Sequence, residues 1–345
     1  MRKILLSLLL AALVAGSAQT GEKKWRVAMS NDYAGNSWRQ TMISDWKTAA
    51  ETAVQKGIVS EAPIFTTNES SASEQAAQLQ SLILEGYDAI VLNAASPEAL
   101  NQVVQDALDA GIVVVSFDNV VTNPNSWRMI TDFEDMGAKQ IEYVAKRFPN
   151  GGNLLEIRGI AGTYVNDAIH RGSVEALKKY PNLKVVGEVH GEWTSSVTQK
   201  AVAGILPSLP EVIAVVTQGG DGYGAVKAFE AAGKAMPVVI MGNRYDEMKI
   251  WKEMYDKTGY DTISISPTPA FATIAFWEAI EILNKTEVPK ELRIPTYLID
   301  THAKLDRDFK NTPEGGVASI VYTQEWVREM IANAKAGKLP PPEPE

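Results

Sequence analysis

At 345 residues the chain exceeds what one compact core usually encloses, so two domains are expected. Hydrophobic residues at 45% and charged residues at 22% exclude a largely disordered chain. A net charge of −9 repels phosphate backbones, which argues against nucleic acid as a partner and for a soluble monomer. There is no cysteine, so disulfides, thiol chemistry and a cysteine-linked lipid anchor are excluded. With His170, His190 and His302 as its only histidines, a multi-His metal site is not expected.

Residues 1–18 read as a signal peptide. Arg2 and Lys3 form a charged start, residues 4–14 an apolar stretch, and Gly16-Ser17-Ala18 a small-residue cleavage site. That stretch is shorter than the roughly 20 residues of a spanning helix, although a membrane anchor or a buried first helix is the alternative. A periplasmic or otherwise extracytoplasmic protein follows from the first reading.

Beyond it, β-branched runs alternate with amphipathic segments. Strands are predicted at 24–30, 62–67, 87–93 and 112–118, with helices at 37–56, 73–85 and 97–110 between them. The runs AIVLN and IVVVSFD are apolar throughout, as parallel strands covered on both faces should be. After Asp132 the pattern restarts. Helix 134–148, strand 153–157, helix 166–180, strand 183–189 and helix 195–208 come in turn. Strand 212–217, helix 223–233, strand 237–242, strand 261–265 and helix 269–283 complete the series, before a Pro-rich tail expected to be disordered. The fold class is α/β, with two doubly wound parallel-sheet lobes in tandem.

Open parallel sheets bind ligands at the carboxyl ends of their strands. Here those ends carry Ser30-Asn31-Asp32, Asn93, Asp118-Asn119, Arg158, Trp193, Gln218 and Gly242-Asn243-Arg244. Nearly all are planar hydrogen-bonding groups or flat aromatic rings, a strong compositional signal of a ligand site. Each has a blander alternative. Trp38 and Trp193 could fill core, Asp118 could cap a loop, and Asn93 could cap the next helix, although Ser96 before Pro97 is the better cap. Gly220-Asp221-Gly222-Tyr223-Gly224-Ala225 fits G-x-G-x-x-A between a strand and a helix, so an exported NAD-dependent dehydrogenase is one reading. It lacks the acidic residue expected at the next strand end, which reads Met241-Gly242-Asn243. The other reading has those glycines bring backbone N–H groups close to a ligand, with Asp221 as N-cap or ligand contact. The mature chain holds no G-x-S-x-G elbow, phosphate loop or H-E-x-x-H pair.

In their order and spacing, RVAMSNDYAGNSWRQ, EGYDAIVLNAASPEAL, AGIVVVSFDN and LLEIRGIAGT resemble the type I periplasmic binding proteins of sugar ABC importers. The ribose- and galactofuranose-binding branch is the nearest in pattern, and the resemblance runs from Lys24 to Ile299. It implies two lobes joined by a three-strand hinge. Residues 19–132 with 267–294 would form the first lobe, 133–266 with 295–338 the second, and 339–345 a tail. It also implies capture of a monosaccharide or sugar alcohol without cofactor or catalysis. The closed form would go to a membrane permease with its ATPase, or alternatively to a chemoreceptor or sensor kinase. Matched to the family, Trp38 and Trp193 stack on the sugar while Asn36, Asn93, Asp118, Gln218 and Asn243 hydrogen-bond it. Arg39, Asn119, Asn166 and Asp221 complete the expected ligand set. The family's Asp–Arg pair is Asp118-Asn119 here, its second-lobe Arg falls on Ile169, and a late Gln or Glu becomes Ser264 or Ser266. Arg39, Arg158 or Arg244 is then the candidate to replace a lost guanidinium.

Overall fold

The structure is a computed structural model that describes residues 24–341; the signal-peptide reading and most of the tail lie outside the described residues. The chain opens with β1 (Trp25–Asn31), α1 (Ser37–Gln55), β2 (Val59–Glu61), β3 (Ile64–Thr66), α2 (Ala72–Leu84) and β4 (Ala89–Asn93). Next come α3 (Asn101–Asp109), β5 (Val113–Phe117) and β6 (Trp127–Thr131). The second half begins with α4 (Phe133–Arg147), β7 (Gly152–Arg158), α5 (Tyr164–Leu177), β8 (Leu183–His190) and α6 (Ser195–Ile205). It continues through β9 (Ala214–Val216), α7 (Gly222–Ala231), β10 (Val238–Val239), α8 (Tyr245–Thr258) and β11 (Ser264–Ser266). Last are α9 (Phe271–Leu283), β12 (Glu291–Ile294), β13 (Tyr297–Ile299), α10 (His302–Asn311) and α11 (Gln324–Lys335).

Two parallel sheets result, one per lobe. The first runs β12-β6-β5-β4-β1-β2, with β3 also paired to β1. The second runs β10-β9-β7-β8, and β11, paired antiparallel with β13, bridges to it through Met241 and Ser264. β4 is buried along its whole length, as its unbroken AIVLN demands. The predicted strand at 62–67 is the shorter β3, since Pro63 lacks the N–H that a longer ladder needs, and β2 lies ahead of the predicted range. The predicted helix at 97–110 begins only at Asn101; a turn comes first, in which Ser96 Oγ accepts from the Ala99 N–H. β6 and α8 were not anticipated, nor was any element after α9.

α9 explains the depth of the first core. Every residue of FATIAFWEAIEIL is buried, against β4 and β5 and between α1 and α11. Trp46 meets Phe276 edge-on at 5.0 Å, and Phe276 meets Trp277 at 4.9 Å. Burying each such ring contributes about 1.5–3 kcal/mol. Glu278 sits in this helix with both carboxyl oxygens buried and unpartnered, and burial pushes it up to about 8, so it is an uncharged acid at neutral pH. α11 places Val327, Met330 and Ile331 in this same core, so the chain crosses back to the first lobe near residue 322. For that stretch the expected second-lobe assignment of 295–338 differs from what the packing shows; the amphipathic face of α11 is buried on α9.

Candidate functional site

One cleft of about 460 Å³ lies between the lobes, lined by Asn36, Trp38, Arg39 and Asp118 from the first. Val165, Trp193, Gln218, Gly219, Gly220, Asn243 and Arg244 line it from the second, and Ser266-Pro267 from the hinge. Asn36 and Arg244 also border a second space, lined otherwise by residues such as Tyr223 and Asp246.

The first-lobe wall is organised by Arg39. Asn36 caps α1 by accepting the Arg39 N–H at 2.9 Å, which turns Arg39 inward. Arg39, 4% exposed, then pairs through its guanidinium with Asp32 at 3.2 Å and Asp118 at 3.3 Å. Ser70 Oγ donates to Asp32, and Asn93 Nδ2 donates to Asp118 Oδ2 at 3.2 Å. Burial pushes Asp118 up to about 6; Arg39 opposes this and Asp32 adds to it. Burial likewise raises Asp32 against the pull of Arg39. Asp118 has φ of +57°, a left-handed conformation costly for a non-glycine residue and typical of functional sites. That conformation turns its carboxylate off the end of β5 and into the gap.

Trp193 is the second-lobe counterpart, also left-handed at φ +52°. Its indole lies against Gly159, where a Cβ would overlap the ring, so that position must be glycine. Trp38 donates from Nε1 to the Pro267 carbonyl at 3.1 Å, which fixes one ring between α1 and the hinge. Gln218 borders the cleft, but its amide is already occupied: Oε1 accepts from Gly159 N–H and Nε2 donates to the Asn166 carbonyl. Asn243 Nδ2 reaches Pro267 and Ala318 carbonyls at 3.4 and 3.3 Å. Ser266 Oγ, buried and unpartnered, faces the same space.

Of the expected ligand residues, Asn36, Trp38, Arg39, Asp118, Trp193, Gln218 and Asn243 come together in this cleft. Four do not line it. Asn93 stands behind Asp118 as its brace. Asn119 Oδ1 accepts the Val165 N–H at 3.3 Å, a bond between the lobes. Asn166 is fully buried, with Nδ2 on Asp167. Asp221 sits at the N-cap position of α7 without capping it; it accepts from Thr198 Oγ1 at 2.8 Å inside the second lobe, and burial pushes it up to about 7. Asn93, Asn119 and Asp221 are each drawn away by a partner distant in sequence, and Asn166 by its neighbour Asp167.

Arg244 lines the cleft, whereas Arg158 is turned outward to Asp167 and Glu188. Glu156, His170 and Glu188 form a further polar group with possible ligand atoms within 4.8 Å of one another. Glu188 there already holds the Arg158 guanidinium at 3.0 Å, and that positive charge opposes a cation. No helix among the described residues is long and apolar enough to cross a membrane.

The sequence matches the periplasmic binding protein domain over residues 27–287. A solved ABC transporter solute-binding protein from Thermobispora bispora is similar at 32% identity and a TM-score of 0.87, covering 93% of this chain and 99% of that one. A D-ribose/D-allose-binding protein of Pseudomonas aeruginosa is 31% identical over 196 residues, which is 54% of this chain and only 60% of that relative's length. The galactofuranose-binding protein of Escherichia coli is 26% identical across 85% of this chain and 90% of its own.

Proposed function

Since the chain belongs to the periplasmic binding protein domain family, we propose that it is an exported, non-catalytic solute-binding protein for one neutral monosaccharide or sugar alcohol. It encloses the ligand between its lobes and presents it to the permease of an ABC importer. The observation that carries this reading is the meeting of Trp38, Trp193, Asp118 and Arg244 around one gap. Indole faces accept the C–H patches of a sugar, a carboxylate accepts hydroxyl hydrogens, and a guanidinium donates to oxygens. The ligands named for the relatives, ribose, allose and galactofuranose, are of this class. In the first lobe charge favours a neutral ligand: Arg39 already faces two carboxylates, so its positive charge does not await a sugar acid. The dinucleotide reading is disfavoured because the Gly220 and Gly222 N–H groups, the natural pyrophosphate donors, are bonded to Glu247. A sensor in place of a permease would leave this site unchanged, and pull-downs of the liganded protein with membrane partners distinguish the two.

A thermal-shift screen of pentoses, hexoses and polyols should identify the ligand, since saturating ligand raises Tm by mass action. Calorimetry on Asp118→Ala should then show affinity reduced roughly 100-fold in a folded protein. Unchanged affinity in that variant sinks the assigned cleft.

A further inference from the structure

The second lobe's cleft wall is held by a buried acid that touches no ligand space. Glu247, in the first turn of α8, is fully buried. A Glu in that place commonly reaches back to its own helix cap. Here it spans two strand-end turns instead. Its Oε1 accepts from Gly222 N–H at 2.9 Å and Gly242 N–H at 2.8 Å, and its Oε2 from Gly220 N–H at 3.1 Å. The Gly220 carbonyl in turn accepts from Arg244 Nη1 at 3.2 Å. A relay of contacts therefore runs from Glu247 Oε2 to the Gly220 N–H and, from the next peptide unit, the Gly220 C=O to the guanidinium that lines the cleft.

The glycines make this relay possible. A Cβ at Gly220 would overlap the Arg244 guanidinium, one at Gly242 would overlap the Glu247 carboxylate, and one at Gly222 would stand 2.8 Å from Glu247 Oε1. Gly220 also has φ of +81°, which favours glycine on its own account. The G-x-G spacing that suggests a dinucleotide site thus clears room for a carboxylate of the chain itself.

We propose that Glu247 is the positioning residue for Arg244, and that Arg244 is the second lobe's charged donor to the ligand, opposite the Asp118 acceptor. This rests on the sugar or polyol reading of the cleft. The ligand class it selects presents hydroxyl hydrogens to the first lobe and lone pairs to the second.

The test is titration calorimetry with the best-binding sugar or polyol from the screen. In Glu247→Gln the amide oxygen keeps Gly222 and Gly242, and the new NH2 faces the Gly220 N–H, donor against donor. Affinity should fall roughly 10- to 100-fold, as for a lost charge-assisted bond. Arg244→Met should weaken binding to a similar degree, and the double variant should bind no worse than Arg244→Met alone, because Glu247 acts through Arg244. The rank order of ligands should shift equally in both single variants, which a general loss of stability would not produce. Should Glu247→Gln fail to fold by circular dichroism, Glu247→Asp makes the same test, since it keeps the charge and shortens its reach to the Gly220, Gly222 and Gly242 N–H groups. Wild-type binding with an unaffected Glu247→Gln, or additive losses in the double variant, overturns the proposal and leaves the sugar reading standing. A wild-type protein that binds no sugar or polyol at millimolar concentration removes the sugar reading and this proposal with it.

Discussion

The two lobes share one architecture and arrange their charges in opposite senses. In the first, the cation is paired: Arg39 borders the cleft but lies between Asp32 and Asp118, so the strand-end group beside it in the cleft is a carboxylate. In the second, the carboxylate is interior: Glu247 gathers three backbone N–H groups, and what reaches the cleft is a guanidinium. Equivalent strand ends thus present an acceptor from one side and a donor from the other. A hydroxyl is both donor and acceptor, so a polyol satisfies such a pair of walls where a carboxylate or an amine would satisfy only one. Each lobe also lines the cleft with one left-handed residue that is not glycine, Asp118 or Trp193. The lesson is that duplicated topology supplies the place, and the buried partner of each charge decides the chemistry.

The difference between the lobes should be largest in stability. Arg39→Met leaves Asp32 and Asp118 buried without their counter-charge, and urea unfolding should register a loss of about 3–5 kcal/mol. Arg244→Met should stay within about 1 kcal/mol of wild type, since Glu247 keeps its backbone donors. Equal losses would mean that the lobes are not electrostatically distinct.

A smaller effect is expected with pH. Asp118 is pushed up to about 6, with Arg39 and Asp32 the charged groups beside it, and binding needs its ionised form. Ligand affinity should therefore rise with pH through about 6 and fall on acidification, approaching tenfold per unit well below that point. Stability moves the other way. The folded value lies above the unfolded 3.8, so the native state holds its proton more tightly; that contribution is complete below 3.8 and lost as pH rises through about 6. Calorimetric titrations from pH 4.5 to 8 check the first statement, and a flat affinity profile would remove Asp118 from the ligand.

The smallest effect on binding belongs to Asp221. Asp221→Asn should change affinity by no more than about twofold, because its carboxyl faces Thr198 and not the cleft. The same variant should be more stable than wild type at pH 8 and lose that advantage below about pH 4, since burial raises Asp221 from 3.8 to about 7. A large loss of affinity would restore Asp221 to the ligand set.

Read alone, the sequence determined the class of the fold and the neighbourhood of the site. Short β-branched apolar runs such as AIVLN between helical segments fit strands covered on both faces, and restarting the pattern after Asp132 fits a second sheet. Strand ends could be located because strand length and turn residues are local properties. Asp118, Trp193 and Asn243 could be named on that ground, and Trp38 on the family resemblance. Local spacing does not say which way a residue in a turn points. Tertiary structure decided that Asn93 braces Asp118 and that Asn119 bridges to Val165, 46 positions away. It also decided that Asp221 turns inward to Thr198 and that Arg244 lines the cleft behind Glu247. Late elements such as α11 were invisible for a related reason: their burial depends on α9, a helix more than 40 residues earlier in the chain. Burial and hydrogen-bond partners are properties of the assembled chain, and they alone separate a ligand's carboxylate from a structural one.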